Sequence, residues 1–133
     1  MTAKRRWEVY PGFPNRVGRD GPRVTLNPRK VFLLNQSAYD AMGGPAAVEL
    51  RYDGDTRTIG LAPKDPRHQN AFPIKSKLNS RKYNYRIIHA APFCKHYGID
   101  PRSTVLFIDI DMDDEGTLML ELSTAVTVGR GFR

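Results

Sequence analysis

The chain has 133 residues, of which 40% are hydrophobic, and a formal net charge of +7 with one cysteine. This length predicts one domain with a modest core, and one cysteine excludes an internal disulfide framework. No apolar run reaches the ~18 residues of a membrane span, and no apolar segment follows Lys4, Arg5 and Arg6, so we expect a cytoplasmic protein that does not enter membranes.

The charge is distributed unevenly along the chain. Residues 1–30 and 64–102 have balances of +6 and +7, whereas residues 31–63 and 103–133 have balances of −2 and −4. Basic segments that alternate with acidic ones favour a basic surface that attracts a polyanion such as nucleic acid. The alternative is an ordinary soluble surface with a basic excess.

The first half of the chain reads as one folding unit. Asn35 or Ser37 can cap a short helix, because their side chains accept hydrogen bonds from unpaired N–H groups of the first turn. Gly43 should end that helix, because glycine adopts the left-handed conformation without steric cost. The predicted elements are strands over residues 24–26 and 31–34, a helix up to Met42, and strands over 48–52 and 58–61 joined by an acidic turn.

The second half repeats this order in different residues. A second short helix is predicted with Pro92 in its first turn, where a missing N–H has no cost, and with Gly98 at its end. The predicted elements are strands over residues 71–77 and 83–89, a helix over 91–97, strands over 104–112 and 117–122, and a further short strand over 125–128.

The order of elements indicates an internal duplication, although few residues are identical between the halves. Placing Gly43 on Gly98 aligns the two predicted helices. The positions that each helix should bury are then Ala38 with Phe93, and Met42 with Tyr97.

A family resemblance follows from this order. The segments that carry it are RVTLN, VFLLNQSAYDAMGG, AVELRYDGD and TIGLAP, followed by YRIIHAAPFCKHYGID, TVLFIDID and GTLMLEL. Together they resemble the AbrB-type swapped-hairpin domain, and two copies in one chain resemble the arrangement of MraZ proteins. The resemblance implies a mainly β fold with short helices, built as an internally duplicated, pseudo-dimeric swapped-hairpin barrel, and it implies DNA binding in transcriptional regulation.

The resemblance also implies a set of contact residues, since basic residues on and near the first hairpin of each unit contact DNA in that family. Arginines among them can form two parallel bonds to phosphate or guanine. The alternative for each of these residues is that it lies in a solvated turn and contacts no partner. Carried over by position, the candidates are Arg23, Arg29, Lys30, Lys75, Lys77, Arg81, Lys82 and Arg86.

The predicted organisation has five segments. They are an N-terminal arm over residues 1–22, a first repeat over 23–63, a linker over 64–70, a second repeat over 71–122 and a basic tail over 123–133. The arm carries Trp7, Tyr10 and Phe13 among basic residues, so it can follow a phosphate backbone, pack its aromatic rings on the core, or do both. The arm residues proposed to contact DNA are Arg5, Arg6, Arg16 and Arg19.

No set of residues predicts catalysis, a metal site or a cofactor. Cys94 lies near His89 and His96 in sequence, but a zinc site normally needs two local pairs of ligands and the chain has one thiol. Residues 109–120 begin like a calcium loop and fail at Asp114, where glycine is required, and at Leu120, where glutamate is required. We therefore expect no enzyme, no cofactor and no small-molecule substrate.

The sequence predicts a DNA-binding protein that contacts duplex phosphates and grooves through paired basic hairpins. A homo-oligomer is expected, because hairpins offer strand edges for further assembly. The alternative is a protein-interaction module, such as an antitoxin-like or assembly subunit, which uses the same faces to bind another protein.

Overall fold

The computed structural model describes residues 21–78 and 84–128, which form two antiparallel sheets and two short helices. The fold is therefore mainly β, as predicted. The elements are β1 Val24–Leu26, β2 Val31–Leu34, α1 Gln36–Ala41, β3 Ala47–Asp53, β4 Thr58–Lys64, β5 Ala71–Pro73, β6 Lys75–Leu78, β7 Asn84–His89, α2 Ala91–Tyr97, β8 Val105–Leu106, β9 Ile110–Met112, β10 Leu118–Glu121 and β11 Val126–Thr127.

The strands divide between a six-stranded and a five-stranded sheet. The six-stranded sheet has the order β11-β8-β1-β2-β7-β6, and the five-stranded sheet has the order β5-β3-β4-β10-β9. Both sheets are open, so within the described residues the expected closed barrel does not form. Each sheet contains hairpins from both halves of the chain, joined through β2 and β7 in one sheet and through β4 and β10 in the other.

Two predicted strands are each divided between the sheets. The run over residues 71–77 becomes β5 and β6, and the chain leaves the five-stranded sheet at Ile74, whose N–H donates to the Ala46 carbonyl at 2.9 Å. The run over residues 104–112 becomes β8 and β9, because Phe107 turns into the core and stacks on Phe32 with ring centroids 6.3 Å apart. A contact distant in sequence accompanies each division, a backbone hydrogen bond in the first case and an aromatic contact in the core in the second.

One cluster of buried side chains joins the two sheets. Val24, Leu26, Phe32, Leu34 and Ile88 come from the six-stranded sheet. Burying large apolar side chains is the main stabilising contribution in a domain of this size. The members from the five-stranded sheet are Val48, Ile59, Leu61, Leu118 and Leu120.

The first helix begins and ends as the sequence predicts. Asn35 is the N-cap, and its side chain accepts from the Ala38 N–H at 2.9 Å. Met42 is the C-cap, and Gly43 follows in the left-handed region with φ of 85°. Ala38 and Met42 are both buried, as expected.

The second helix confirms its predicted end and corrects one predicted core position. Gly98 is the left-handed C-cap with φ of 67°, and its N–H bonds back to the last turn of α2. Phe93 is buried as expected. The expectation that Tyr97 is buried is wrong, because Tyr97 is 45% exposed and packs at the surface against Tyr52, with ring centroids 4.9 Å apart.

Neither described helix has the length and the apolar character that crossing a membrane requires.

Asn35 connects three parts of the fold, which makes it a test of the first unit. Its Oδ1 accepts from the backbone N–H groups of Arg23 and Ala38, and its Nδ2 donates to the Gly21 carbonyl at 2.8 Å. We expect Asn35→Ala to lower the free energy of unfolding by about 1–2 kcal/mol in urea titration, through the lost helix cap and the backbone groups left unpaired. Asn35→Asp keeps the acceptor and should lose less, and an Asn35→Ala protein with the parent's midpoint would contradict this role.

Candidate nucleic-acid interface

The six-stranded sheet has one face in the core and one face open. Residues directly opposite each other in an antiparallel pair project to the same side. Phe32 pairs with Ile88, and both are buried. Leu33, between Thr25 and Ile87 on the neighbouring strands, lies on the other side, where all three are half-buried. We call this outer side of the six-stranded sheet the open face.

The open face holds a groove of about 420 Å³. Its floor is apolar, with Val31, Leu33 and Ile87. Its lining includes Arg23, Arg29 and Lys77, and the described residues that line it include no Asp or Glu. The remaining lining residues are Thr25, Asn27, Asn35, Tyr85, His89, Thr104 and Val128.

Three separate segments supply the basic side chains of this groove. Arg23 precedes β1, Arg29 lies on the turn between β1 and β2, and Lys77 lies on β6 opposite Tyr85. Lys75 is also on β6, opposite Ile87, and therefore projects to the same open face. The structure thus places Arg23, Arg29, Lys75 and Lys77 on one side of the sheet.

Lys30 belongs to a different arrangement. Its backbone has φ of 66°, a left-handed conformation that is uncommon for a residue with a side chain. Its Nζ donates to the Pro28 carbonyl at 3.1 Å and to Asp100 Oδ1 at 2.9 Å. This bond to Lys30 holds the pKa of the Asp100 carboxyl below its ordinary value. Lys30 therefore joins the β1–β2 turn to the loop after α2.

Arg86 lies on the core side of the sheet rather than on the open face. It pairs in register with Leu34, which is buried. Its guanidinium lies 4.3 Å from the centroid of the Tyr39 ring and donates to Gln36 Oε1 at 3.3 Å. Arg86 thus connects β7 to α1, on the face opposite to Arg23 and Lys77.

Several predicted contact residues lie outside the described part of the chain. They are Arg81 and Lys82 of the second repeat, and Arg5, Arg6, Arg16 and Arg19 of the arm.

Sequence reasoning missed several residues of the groove. Tyr85, Ile87 and His89 are spaced two residues apart along β7, so the two-residue period of a strand already places all three on one face. Thr104 and Val128 reach the groove because β8 and β11 pair beside β1. No local pattern indicates that pairing, since it joins segments far apart in the sequence.

The five-stranded sheet holds a second concave region of opposite charge. This acidic cleft has a volume of about 440 Å³ and includes Asp109, Asp111 and Glu121, with no Lys or Arg among its described lining residues. Within residues 21–78 and 84–128, no group of three or more His, Cys, Asp or Glu side chains is arranged to hold a metal ion. The other residues that line the acidic cleft are Thr58, Ile108, Ile110 and Met119.

Cys94 differs in exposure from His89 and His96, its neighbours in the sequence. Cys94 is buried in the core, and burial raises the pKa of its thiol, which keeps it protonated and unreactive. His89 and His96 are exposed, and His89 lies in the groove. Cys94 is therefore a core residue of the second helix.

The chain matches no protein-family model, no curated protein and no solved structure. Its fold and its charge distribution are therefore the basis for a functional proposal.

The ion pair between Lys30 and Asp100 generates a pH prediction. A carboxyl whose pKa is lowered in the folded state stabilises the fold above the pKa of the unfolded chain, and this contribution is lost as the pH falls through the lowered value. We expect Asp100→Asn to lower the melting temperature at pH 7. The difference from the parent should begin to shrink below about pH 4, where an unfolded Asp becomes protonated, and should disappear only once the pH is below the lowered pKa of the folded protein.

The matched control is Asp114→Asn, which removes the same charge from the exposed turn between β9 and β10. An Asp100→Asn protein that melts like the parent at pH 7 would show that the ion pair does not stabilise the turn.

Proposed function

We propose that this protein binds double-stranded DNA through the open face of its six-stranded sheet. The observation that carries the proposal is the groove, where Arg23, Arg29 and Lys77 come from three separate segments and whose described lining residues include no Asp or Glu. Phosphate neutralisation by Lys and Arg releases counterions and supplies most of the affinity of non-specific DNA binding. A basic groove on a rigid sheet is suited to that interaction.

The spacing of the basic residues supports a duplex as the ligand. The Arg23 N–H donates to Asn35 Oδ1 at 2.9 Å, so Arg23 lies near the C-terminal end of β2. Arg29 lies near the opposite end of that strand. The four residue-to-residue steps from Val31 to Asn35 span ~13 Å in an extended strand. This length is comparable to the ~12 Å width of the major groove of B-DNA, so the two ends can reach phosphates on both sides of it.

The strand order supports the resemblance to AbrB and MraZ proteins. The hairpins β1–β2 and β6–β7 meet through β2 and β7, and the hairpins β3–β4 and β9–β10 meet through β4 and β10. Equivalent hairpins of two halves would occupy equivalent places in such an arrangement. We therefore propose an internally duplicated swapped-hairpin protein, and with it a role in transcriptional regulation.

A second candidate function is protein interaction, and the floor of the groove favours it. Val31, Leu33 and Ile87 are half-buried apolar residues on an outer surface, which is typical of the centre of a protein interface. An antitoxin-like or assembly subunit would bind the apolar part of a partner on this floor. Its basic residues around the groove would bind acidic residues of the same partner. A stable partner recovered from cell extract after nuclease treatment, together with no binding to duplex, would favour this function.

The test of DNA binding is fluorescence anisotropy of a labelled mixed-sequence duplex at several salt concentrations. Affinity should fall linearly in a plot of log K against log salt, with a slope of about −0.9 for each phosphate that is neutralised. For Arg29→Gln with Lys77→Gln, the slope should decrease in magnitude by about 2 and binding should weaken for all sequences.

Two controls separate the open face from general charge. Arg67→Gln with Lys95→Gln removes the same charge from exposed residues that do not line the groove, and it should bind DNA nearly as the parent does. Arg86→Gln should reduce stability rather than affinity, because Arg86 packs on Tyr39. Equal loss of binding in all three variants would contradict the assignment of the groove.

A further inference from the structure

Each sheet ends in strands that have one unpaired side within the described residues. These edge strands are β6 and β11 in the six-stranded sheet, and β5 and β9 in the five-stranded sheet. An unpaired edge is a template for a strand of another chain. β5 contains Pro73, which has no N–H to donate, and β11 is two residues long. β6 and β9 are therefore the edges best able to accept a strand.

These two edges carry opposite charges at the same spacing. Lys75 and Lys77 are exposed and occupy alternate positions of β6. Asp109 and Asp111 are exposed and occupy alternate positions at and just before β9, where they line the acidic cleft with Glu121. A two-residue period places each charged pair on one face of its strand.

We propose that copies of this chain associate by pairing β6 of one copy with β9 of the next. Lys75 and Lys77 of one copy then lie opposite Asp109 and Asp111 of the other, beside its acidic cleft. Cross-strand pairs of opposite charge stabilise a sheet. β6 can dock beside β9 in a parallel or an antiparallel direction, and these two arrangements place its lysines on opposite faces of the combined sheet. One of the two directions therefore places the lysines on the face that holds the cleft.

Like charges disfavour the symmetric alternatives. Pairing β6 with β6 would place Lys75 and Lys77 against lysines, and pairing β9 with β9 would place aspartates together. A contact between different edges leaves each associated pair with one unused basic edge and one unused acidic edge. Such a heterologous contact continues into a ring or an open chain of copies.

The backbone of β9 shows how the edge would open. The Asp109 carbonyl accepts from the Glu121 N–H, and the Asp113 N–H donates to the Thr117 carbonyl. Because backbone groups of successive residues in a strand point to opposite sides, the Met112 N–H faces away from β10. This N–H donates to the Asp111 carboxylate at 2.8 Å. In a single, unassociated copy, that carboxylate therefore occupies the backbone donor at the edge of β9. A docked lysine draws the carboxylate away and exposes the Met112 N–H to a carbonyl of β6.

The experiment is sedimentation velocity of nuclease-treated, nucleic-acid-free protein over a range of concentrations. The parent should associate as its concentration rises, and less strongly at about 0.5 M salt, where exposed charges are screened. Lys75→Gln with Lys77→Gln, and Asp109→Asn with Asp111→Asn, should each weaken association by about tenfold. Circular dichroism of both variants verifies that they are folded.

A mixture of the two variants tests the heterologous contact. Each variant keeps one intact edge, so an equimolar mixture should form one-to-one dimers and nothing larger. Arg67→Gln with Lys95→Gln should associate like the parent, because neither residue lies on β6 or β9. A parent that stays monomeric throughout, or variants that associate like the parent, would overturn the proposal.

The test is independent of the proposed DNA binding. Asp109→Asn with Asp111→Asn leaves the groove unchanged, so this variant should bind duplex like the parent while it associates about tenfold more weakly. If the parent does not bind DNA at all, the sedimentation result still decides whether copies pair through β6 and β9.

Discussion

The pairing of β2 with β7 is the interaction on which the rest of the fold depends. It aligns Phe32 with Ile88 and Leu33 with Ile87, so one strand pair supplies the centre of the core on one side and the floor of the groove on the other. Each hairpin alone has little apolar surface to bury, and two-stranded hairpins are marginally stable in water. Joining them creates a sheet wide enough to cover the core and to present the basic residues together.

Local sequence signals predicted the elements that depend on neighbouring residues. The strands around the first turn, both helices and the glycines after them follow from period, capping and glycine conformation. The two long runs after residues 70 and 103 were predicted as single strands, because a two-residue period does not show to which sheet a strand belongs. The position of Phe107 in the core, against Phe32, divides the second run, and that contact is distant in sequence.

The sequence predicted which segments supply basic residues to the candidate site better than it predicted on which face of the sheet each residue lies. Charge by segment indicated which hairpins are basic, and four of the predicted residues lie on the open face. Arg86 was assigned by its place on the hairpin, although it is out of phase with Tyr85 and Ile87 along β7 and therefore projects to the core side. Lys30 was assigned by charge, whereas its left-handed backbone and its ion pair with Asp100 are set by the turn geometry.

The chain crosses between the two sheets four times within the described residues, and the two shortest crossings have an electrostatic consequence. The crossing from β5 to β6 consists of Ile74, and the crossing from β8 to β9 consists of residues 107–109, where Phe107 is 2% exposed. Such short, anchored crossings prevent the sheets from sliding past each other. The basic groove and the acidic cleft therefore keep a fixed relation, and the molecule carries a permanent dipole. In the field of a polyanion, that dipole would turn the groove toward the ligand before the first contact, which raises the rate of productive encounter.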